Sequence, residues 1–377
     1  LFFVTHIHTH YIHTLQRLEY PVGVVIVGFA DDITLEVYGE TIEEVKLTTN
    51  HSIKVVEAWM RSRKLELAHH KTEVTVVNNL KSEQQTEISV GDCTILSKRS
   101  VKHLGVMIDD KLTFGSHVDY ACKRASTAIA ALSRMMSNSS AVYASKRKLL
   151  ASVATSILRY GGPAWGTALS TKCYRRKLES TYRLMCLRVA SAYRTVSHDA
   201  LCVITGMVPI SILISEDMEC FEMRGTRGIR RTVRMASMVK WQRAWDSSTK
   251  GRWTHRLIPR VDSWINRRHG EVTFHLTQVL TGHGCFRQYL HRFGHADSPE
   301  CPVCNGLEET AEHVLFVCPR FRTMRDRMLA TCGEDTTPDN LVQRMCRDEI
   351  SWNAVSTAIT HIVWELQRRW RVDSENG

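Results

Sequence analysis

Two groups of residues in this sequence are of types and spacings that do chemistry. The first is Gly28-Phe29-Ala30-Asp31-Asp32, in which two adjacent carboxylates follow an apolar, β-branched run. Like charges held close together repel, and a divalent cation between them reverses the sign of that interaction. Mg²⁺ takes carboxylate oxygens at rigid positions. Two-metal phosphoryl transfer uses such oxygens to activate a 3′-hydroxyl and to stabilise a departing pyrophosphate. A solvated Asp-Asp turn is the simpler alternative. The second group is Cys301, Cys304, His313 and Cys318, spaced C-x₂-C-x₈-H-x₄-C. Three thiolates and an imidazole are the ligand set of a closed, structural Zn²⁺ site. Here a helix beginning near Glu308 is expected to present His313 and Cys318 one turn apart.

A third feature is charge. Between Arg224 and Arg268 there are thirteen Lys and Arg against two acids, Asp246 and Asp262, in a chain whose whole net charge is +11. So concentrated a basic zone points to a polyanion, most simply nucleic acid. The candidate contacts are Arg224, Arg227, Arg230, Arg231, Arg234, Lys240, Arg243, Arg252, Arg256, Arg267 and Arg268. Trp241, Trp245, Trp253 and Trp264 lie among them. Guanidinium groups hold phosphates and indoles stack on unpaired bases. The alternatives are a solvated basic face, and a basic helix in which Trp241 and Trp245, four apart, belong to the core.

These residues need elements to position them. Residues 22–29 and 33–38 read as two short strands, a hairpin with the acids at its turn. Residues 41–60 read as an amphipathic helix, capped by Thr41 with Glu44 three positions on. Strand-like pieces follow at 65–67 and 72–77, on either side of Lys71. Residues 88–96 and 100–108 are expected as the arms of a further hairpin. From His117 the period turns helical, at 118–136, 141–158 and 172–190, with Gly161-Gly162-Pro163 as a break and a last helix at 351–371. The fold class expected is α+β.

Composition sets the outer bounds. Apolar residues make up 43% and charged ones 24%, which excludes wholesale disorder and fibrous repeats. The longest apolar run, residues 22–30, falls well short of the roughly 20 that a bilayer requires, so no membrane partner is expected. At 377 residues the chain has room for two to three domains. Its twelve cysteines read as reduced thiols of an intracellular protein, cytoplasmic and nuclear. Residues 1–14 carry four histidines and no Lys or Arg, unlike a secretory signal, and the sequence has no initiator Met, so a fragment is expected.

Phe29-Ala30-Asp31-Asp32 resembles the (Tyr/Phe)-Ala-Asp-Asp box of reverse transcriptases from non-LTR, LINE-like retrotransposons. The resemblance continues in family order. Ala58-Trp59-Met60 and the segment Leu65-Glu66-Leu67 through Glu73 resemble the next palm motif, whose lysine is Lys71. Val101-Lys102-His103-Leu104-Gly105-Val106 with Asp109 resembles the primer grip, carried by Leu104 and Gly105. Tyr160-Gly161-Gly162-Pro163-Ala164-Trp165 resembles the thumb signature, and the Cys-Cys-His-Cys spacing the zinc knuckle of the same elements. The likeness spans about residues 15–325.

It implies a partial right-hand polymerase palm at 15–115, an all-α thumb at 116–223 and a basic linker at 224–290. A zinc knuckle at 291–325 and a helical region at 326–377 follow, while residues 1–14 stay unassigned. It also implies that Asp31 and Asp32 bind Mg²⁺, that Lys71 acts as general acid toward pyrophosphate, and that zinc is structural. The partners implied are an RNA template, a DNA target and primer, and dNTP, all in the full-length parent. In that family a further carboxylate lies upstream, yet residues 1–30 contain only Glu19. The active site is therefore expected to be incomplete. The rival expectation is a non-catalytic, zinc-bearing nucleic-acid-binding protein.

Overall fold

The computed structural model describes residues 2–6, 12–30, 32–77, 85–134 and 144–375. Asp31 lies outside them, as do the expected helix end at 136 and helix start at 141. The chain divides into two compact units, Leu1–Tyr120 and Ala121–Gly377.

In the first unit four strands form an antiparallel sheet: β1 (Phe2–His6), β2 (Val24–Phe29), β3 (Asp32–Val37) and β4 (Glu73–Thr75), in the order β2-β3-β1-β4. The β2–β3 hairpin runs in register from Val24 opposite Val37 to Phe29 opposite Asp32. Strand alternation puts Ile33, Leu35 and Val37 on one face, each at most 3% exposed. They share a core with Ile53, Val56, Trp59 and Met60 of the helix Ile42–Ser62. That helix starts as its sequence predicts, with the Thr41 hydroxyl accepting from the Glu44 amide at 3.2 Å.

Three expectations are corrected here. Residues 1–14 are not an unassigned leader throughout, because β1 pairs with β3 on one side and β4 on the other. Residues 65–67 form no strand. Residues 88–96 and 100–108 are not two arms of one hairpin but two separate hairpins. β5 (Glu87–Val90) pairs with β6 (Cys93–Leu96), and β7 (Ser100–His103) with β8 (Val106–Asp109). Each has its own two-residue turn, with Gly91 at φ +58° in the first.

The described part of the second unit is helices and loops, with one isolated bridge between Glu300 and Glu308. The Gly161 break is real: with φ +66° it reverses the chain between the helices Ala144–Arg159 and Gly162–Trp165. Trp165 is then fully buried and donates to the Tyr160 carbonyl at 2.8 Å. The helix Ile229–Ser247 buries Val233, Ser237, Trp241 and Trp245, one seam at every fourth residue. Trp245 donates to the Ile258 carbonyl at 2.9 Å, Trp264 to Ile204 at 3.1 Å and Trp253 to Val279 at 2.7 Å.

Of the two readings left open for these tryptophans, burial decides for the core at Trp241, Trp245 and Trp264. Trp241, Trp245 and Trp264 are at most 2% exposed, and Trp253 is half-buried. Trp264→Ala should cost about 3–5 kcal/mol, a large-to-small core change that also orphans the Ile204 carbonyl. A denaturant midpoint unmoved by that substitution would contradict this packing. No single helix among the described residues is long and apolar enough to cross a membrane.

Candidate metal centre and catalytic hairpin

The four zinc-ligand candidates converge. The ligand atoms of Cys301, Cys304, His313 and Cys318 all lie within 4.8 Å of one another. Cys301 Sγ is 3.8 Å and Cys304 Sγ 3.9 Å from Cys318 Sγ. Sulfurs at about 2.3 Å from a tetrahedral ion sit about 3.8 Å apart, whereas a disulfide requires about 2.05 Å.

Local sequence builds this arrangement. Gly306, at φ +76°, turns the Cys-Pro-Val-Cys-Asn-Gly loop so that the Cys301 amide meets the Leu307 carbonyl at 2.8 Å. On the other side the expected regular helix is replaced by a π-type turn, His313–Val317. It closes with the Cys318 amide on the His313 carbonyl at 2.8 Å, an i→i+5 bond that suits a five-residue interval.

The surroundings fit an ion. His313 Nε2 is buried with no hydrogen-bond partner, a costly state for a polar nitrogen unless a ligand meets it. Burial also lowers the His313 pKa, which favours the neutral, ligating imidazole. Arg320 donates from Nε to Cys318 Sγ at 3.2 Å and from Nη2 to Cys301 Sγ at 3.3 Å. Burial pushes the Cys318 thiol up, but the hydrogen bonds and charge of Arg320 outweigh it and the net shift is downward. Arg320 is itself paired with Glu309, and both side chains are at least nine-tenths buried. Nothing in the sequence pattern had marked Arg320 or Glu309, because neither is a ligand.

At the hairpin, Asp32 begins β3 opposite Phe29 on one side and His6 on the other. Lys71 is exposed in the short turn His69–Lys71, two residues before Glu73, which pairs with Val4. Lys71 thus stands at the end of the sheet where His6 meets Asp32, two strand spacings or about 10 Å from β3. Leu104 and Gly105 form the tip between β7 and β8, with φ +44° and +85°. A leucine in that region is strained. The preceding His103 places Nδ1 3.2 Å from the Thr34 hydroxyl of β3. Burial lowers its pKa, partly offset by the charges of Asp32 and Glu36. The structure therefore sets the Leu104-Gly105 hairpin against β3 through His103 and Thr34, and the Lys71 turn at the same end of the sheet as Asp32. Asp109 acts locally, its Oδ1 accepting from the Lys111 and Thr113 amides to shape the turn.

A two-Mg²⁺ cage is not made by the described residues. β1 is Phe-Phe-Val-Thr-His and carries no acid. Glu36, on the same face of β3 as Asp32, is four residues on, about 13 Å along the strand.

The basic residues divide by their partners. Arg256 is clamped between Asp339 (2.9 and 3.0 Å) and Glu312 (2.9 and 3.0 Å). Arg267 lies on the Trp264 ring at 3.9 Å and the Trp352 ring at 5.0 Å. Arg234 pairs with Glu216 and Lys240 with Glu219. Arg252 donates to the Asp246 and Ser248 carbonyls, and Arg224 covers the Phe221 ring. These residues are engaged within the fold. Arg227, Arg230, Arg231, Arg243 and Arg268 are exposed and have no acidic partner among the described residues. Arg231 and Arg243 project from the helix Ile229–Ser247 on the side away from its buried seam.

Comparison with known proteins places this geometry in context. The chain is 25% identical over 335 residues to a "Retrovirus-related Pol polyprotein from type-1 retrotransposable element R1 2" of Nasonia vitripennis, covering 81% of this chain and 80% of that protein. It is likewise 25% identical over 333 residues to the R1 Pol polyprotein of Bradysia coprophila, and over 325 residues to the "Putative 115 kDa protein in type-1 retrotransposable element R1DM" of Drosophila melanogaster. Those matches cover 82% and 79% of this chain but 33% and 31% of the two longer proteins. No family model matches the chain. No solved structure matches it either.

Proposed function

We propose that this chain is the rear part of an RNA-directed DNA polymerase from a non-LTR retrotransposon: the back of the palm, the helical thumb and a basic, zinc-bearing tail. The observation that carries this reading is the similarity to R1 Pol polyproteins across about four-fifths of the chain, reaching into both compact units. No single motif produces a match of that extent. The parent reaction is RNA-templated DNA synthesis from a target 3′-hydroxyl, with RNA, target DNA and dNTP as partners, in the cytoplasm and nucleus.

Within that reaction Asp31 and Asp32 are the carboxylates this chain brings toward Mg²⁺. Lys71, at the same end of the sheet, donates a proton to pyrophosphate. The turn at Leu104 and Gly105, braced through His103 against β3, sets the primer strand beside the hairpin. Cys301, Cys304, His313 and Cys318 hold a structural Zn²⁺ that fixes the tail.

A second reading has its own support. In it the chain serves as a non-catalytic, zinc-bearing nucleic-acid-binding protein, supported by the Cys301, Cys304, His313 and Cys318 cluster and the exposed arginines of the helix Ile229–Ser247. Both readings require binding to single-stranded RNA or DNA through the basic tail. Affinity should fall steeply between 50 and 200 mM salt, in the manner of phosphate neutralisation. Replacing Arg230, Arg231 and Arg243 together by glutamine should lower the slope of log K against log salt by about 2, at roughly 0.7 per lost contact. A salt-independent affinity, or a slope unchanged in the triple variant, would remove the basic helix from the interface.

A further inference from the structure

The chain has nine tryptophans, and their burial is uneven. Trp59, Trp165, Trp241, Trp245, Trp264 and Trp352 are at most 8% exposed, and Trp253 is half-buried. Trp364 and Trp370 are instead 54% and 38% exposed. Part of each indole surface therefore remains open to an outside molecule, although Arg368 already lies over the Trp364 ring at 5.9 Å.

Both lie on the final helix, Glu349–Glu375, within Trp-Glu-Leu-Gln-Arg-Arg-Trp-Arg, three arginines against one acid. Trp370 and Arg369 line a cleft of 310 Å³ whose other wall includes Arg287, His295 and Arg320. Of its two acids, Glu309 is already paired with Arg320, which leaves Asp297 against Arg287 and Arg369. Arg287 spends Nε on the Ser298 carbonyl at 3.3 Å and has no ion pair among the described residues. Arg369 is held at 2.9 Å by Glu365 and stays largely exposed. The volume is near the lower bound of about 300 Å³ for small-ligand sites. That is room for one nucleotide and too little for a duplex.

We propose that this cleft takes one unpaired nucleotide of a single-stranded nucleic acid, its base stacked on Trp370 and its phosphate held by Arg287 and Arg369. The inference rests on the nucleic-acid reading above and adds a contact outside the basic helix. Arg320, which donates to the sulfurs of Cys301 and Cys318, also lines the cleft, so the ion that fixes those sulfurs fixes one wall.

The test uses the full chain with a 20-nucleotide oligouridylate and an RNA–DNA duplex of equal length, read by fluorescence anisotropy. Trp370→Ala should weaken oligouridylate binding about 5- to 150-fold, the range expected for one base stack. Trp370→Phe should restore most of the loss, and duplex affinity should stay unchanged. Photocrosslinking of the wild-type chain to a 5-iodouridine oligomer should mark Trp370 or another residue lining the cleft, a readout independent of any variant's folding. If Trp370→Ala binds oligouridylate as tightly as wild type, or crosslinks fall only outside this cleft, the site is wrong and the nucleic-acid reading stands. If the wild-type chain binds neither probe, the nucleic-acid reading fails first.

Discussion

Cys304→Ser should strip the metal from this protein and unfold the segment around it. Elemental analysis of the purified wild-type chain should find one Zn²⁺ per molecule, and that of the variant close to none. Structural zinc contributes on the order of 10–16 kcal/mol of apparent binding energy in small sites, so losing one of four ligands removes most of what orders residues 299–321. Cys304 is the informative position because it is the least buried of the three thiols, and its loss leaves little core packing to confuse the result. Amide exchange should quicken through the His313–Val317 turn, while helices such as Lys172–Ala190 keep their protection. Cys304→His, which restores a ligand, should recover part of the metal content. Stoichiometric zinc in Cys304→Ser would place the ion elsewhere.

The second expected result is an absence of catalysis. The 377-residue chain, offered a primed RNA template with dNTP and either Mg²⁺ or Mn²⁺, should not extend the primer above the level of its Asp31→Ala variant. Asp32 has no second acid at its own level on the neighbouring strand, where β1 offers His6. Without a complete carboxylate cage, neither the attacking 3′-hydroxyl nor the departing pyrophosphate is stabilised. The loss of that electrostatic term together with positioning is worth on the order of several powers of ten in rate. Extension that Asp31→Ala abolishes would mean that another carboxylate of this chain reaches the hairpin, and the inactive reading would be wrong.

The legible parts of this fold were those written in local pattern. Alternation at 33–37 defined a strand, Thr41 and Glu44 the start of a helix, and Gly161 a reversal, because each depends on residues within a few positions. The cluster of Cys301, Cys304, His313 and Cys318 was legible for another reason: thiols and an imidazole at those intervals have few other uses. Its geometry was not, since whether His313 and Cys318 close an α or a π turn depends on how Val314 and Leu315 pack.

Three things were hidden because they depend on distant partners. Phe2–His6 has strand-forming residues, but its place between β3 and β4 depends on partners about 30 and 70 residues away. Arg256 reads as a free cation until Glu312 and Asp339 return to it from 56 and 83 residues away. The four tryptophans of the basic zone sat equally well on a nucleic acid or in a core, and burial decided for the core at Trp241, Trp245 and Trp264.

The i→i+5 closure at His313 has a consequence for how the chain tolerates changes in length. One residue added or removed among positions 314–317 would turn Cys318 by roughly 80–100° around the helical axis and carry its sulfur off the common centre. A compensating change on the other side cannot repair this, because the Cys301–Cys304 loop is closed by its own Leu307 bond. Insertions and deletions should therefore be excluded from this four-residue interval. The turn around Gly306 is constrained differently: a Cβ there would meet no atom within 4 Å, so its φ of +76° rather than crowding favours glycine.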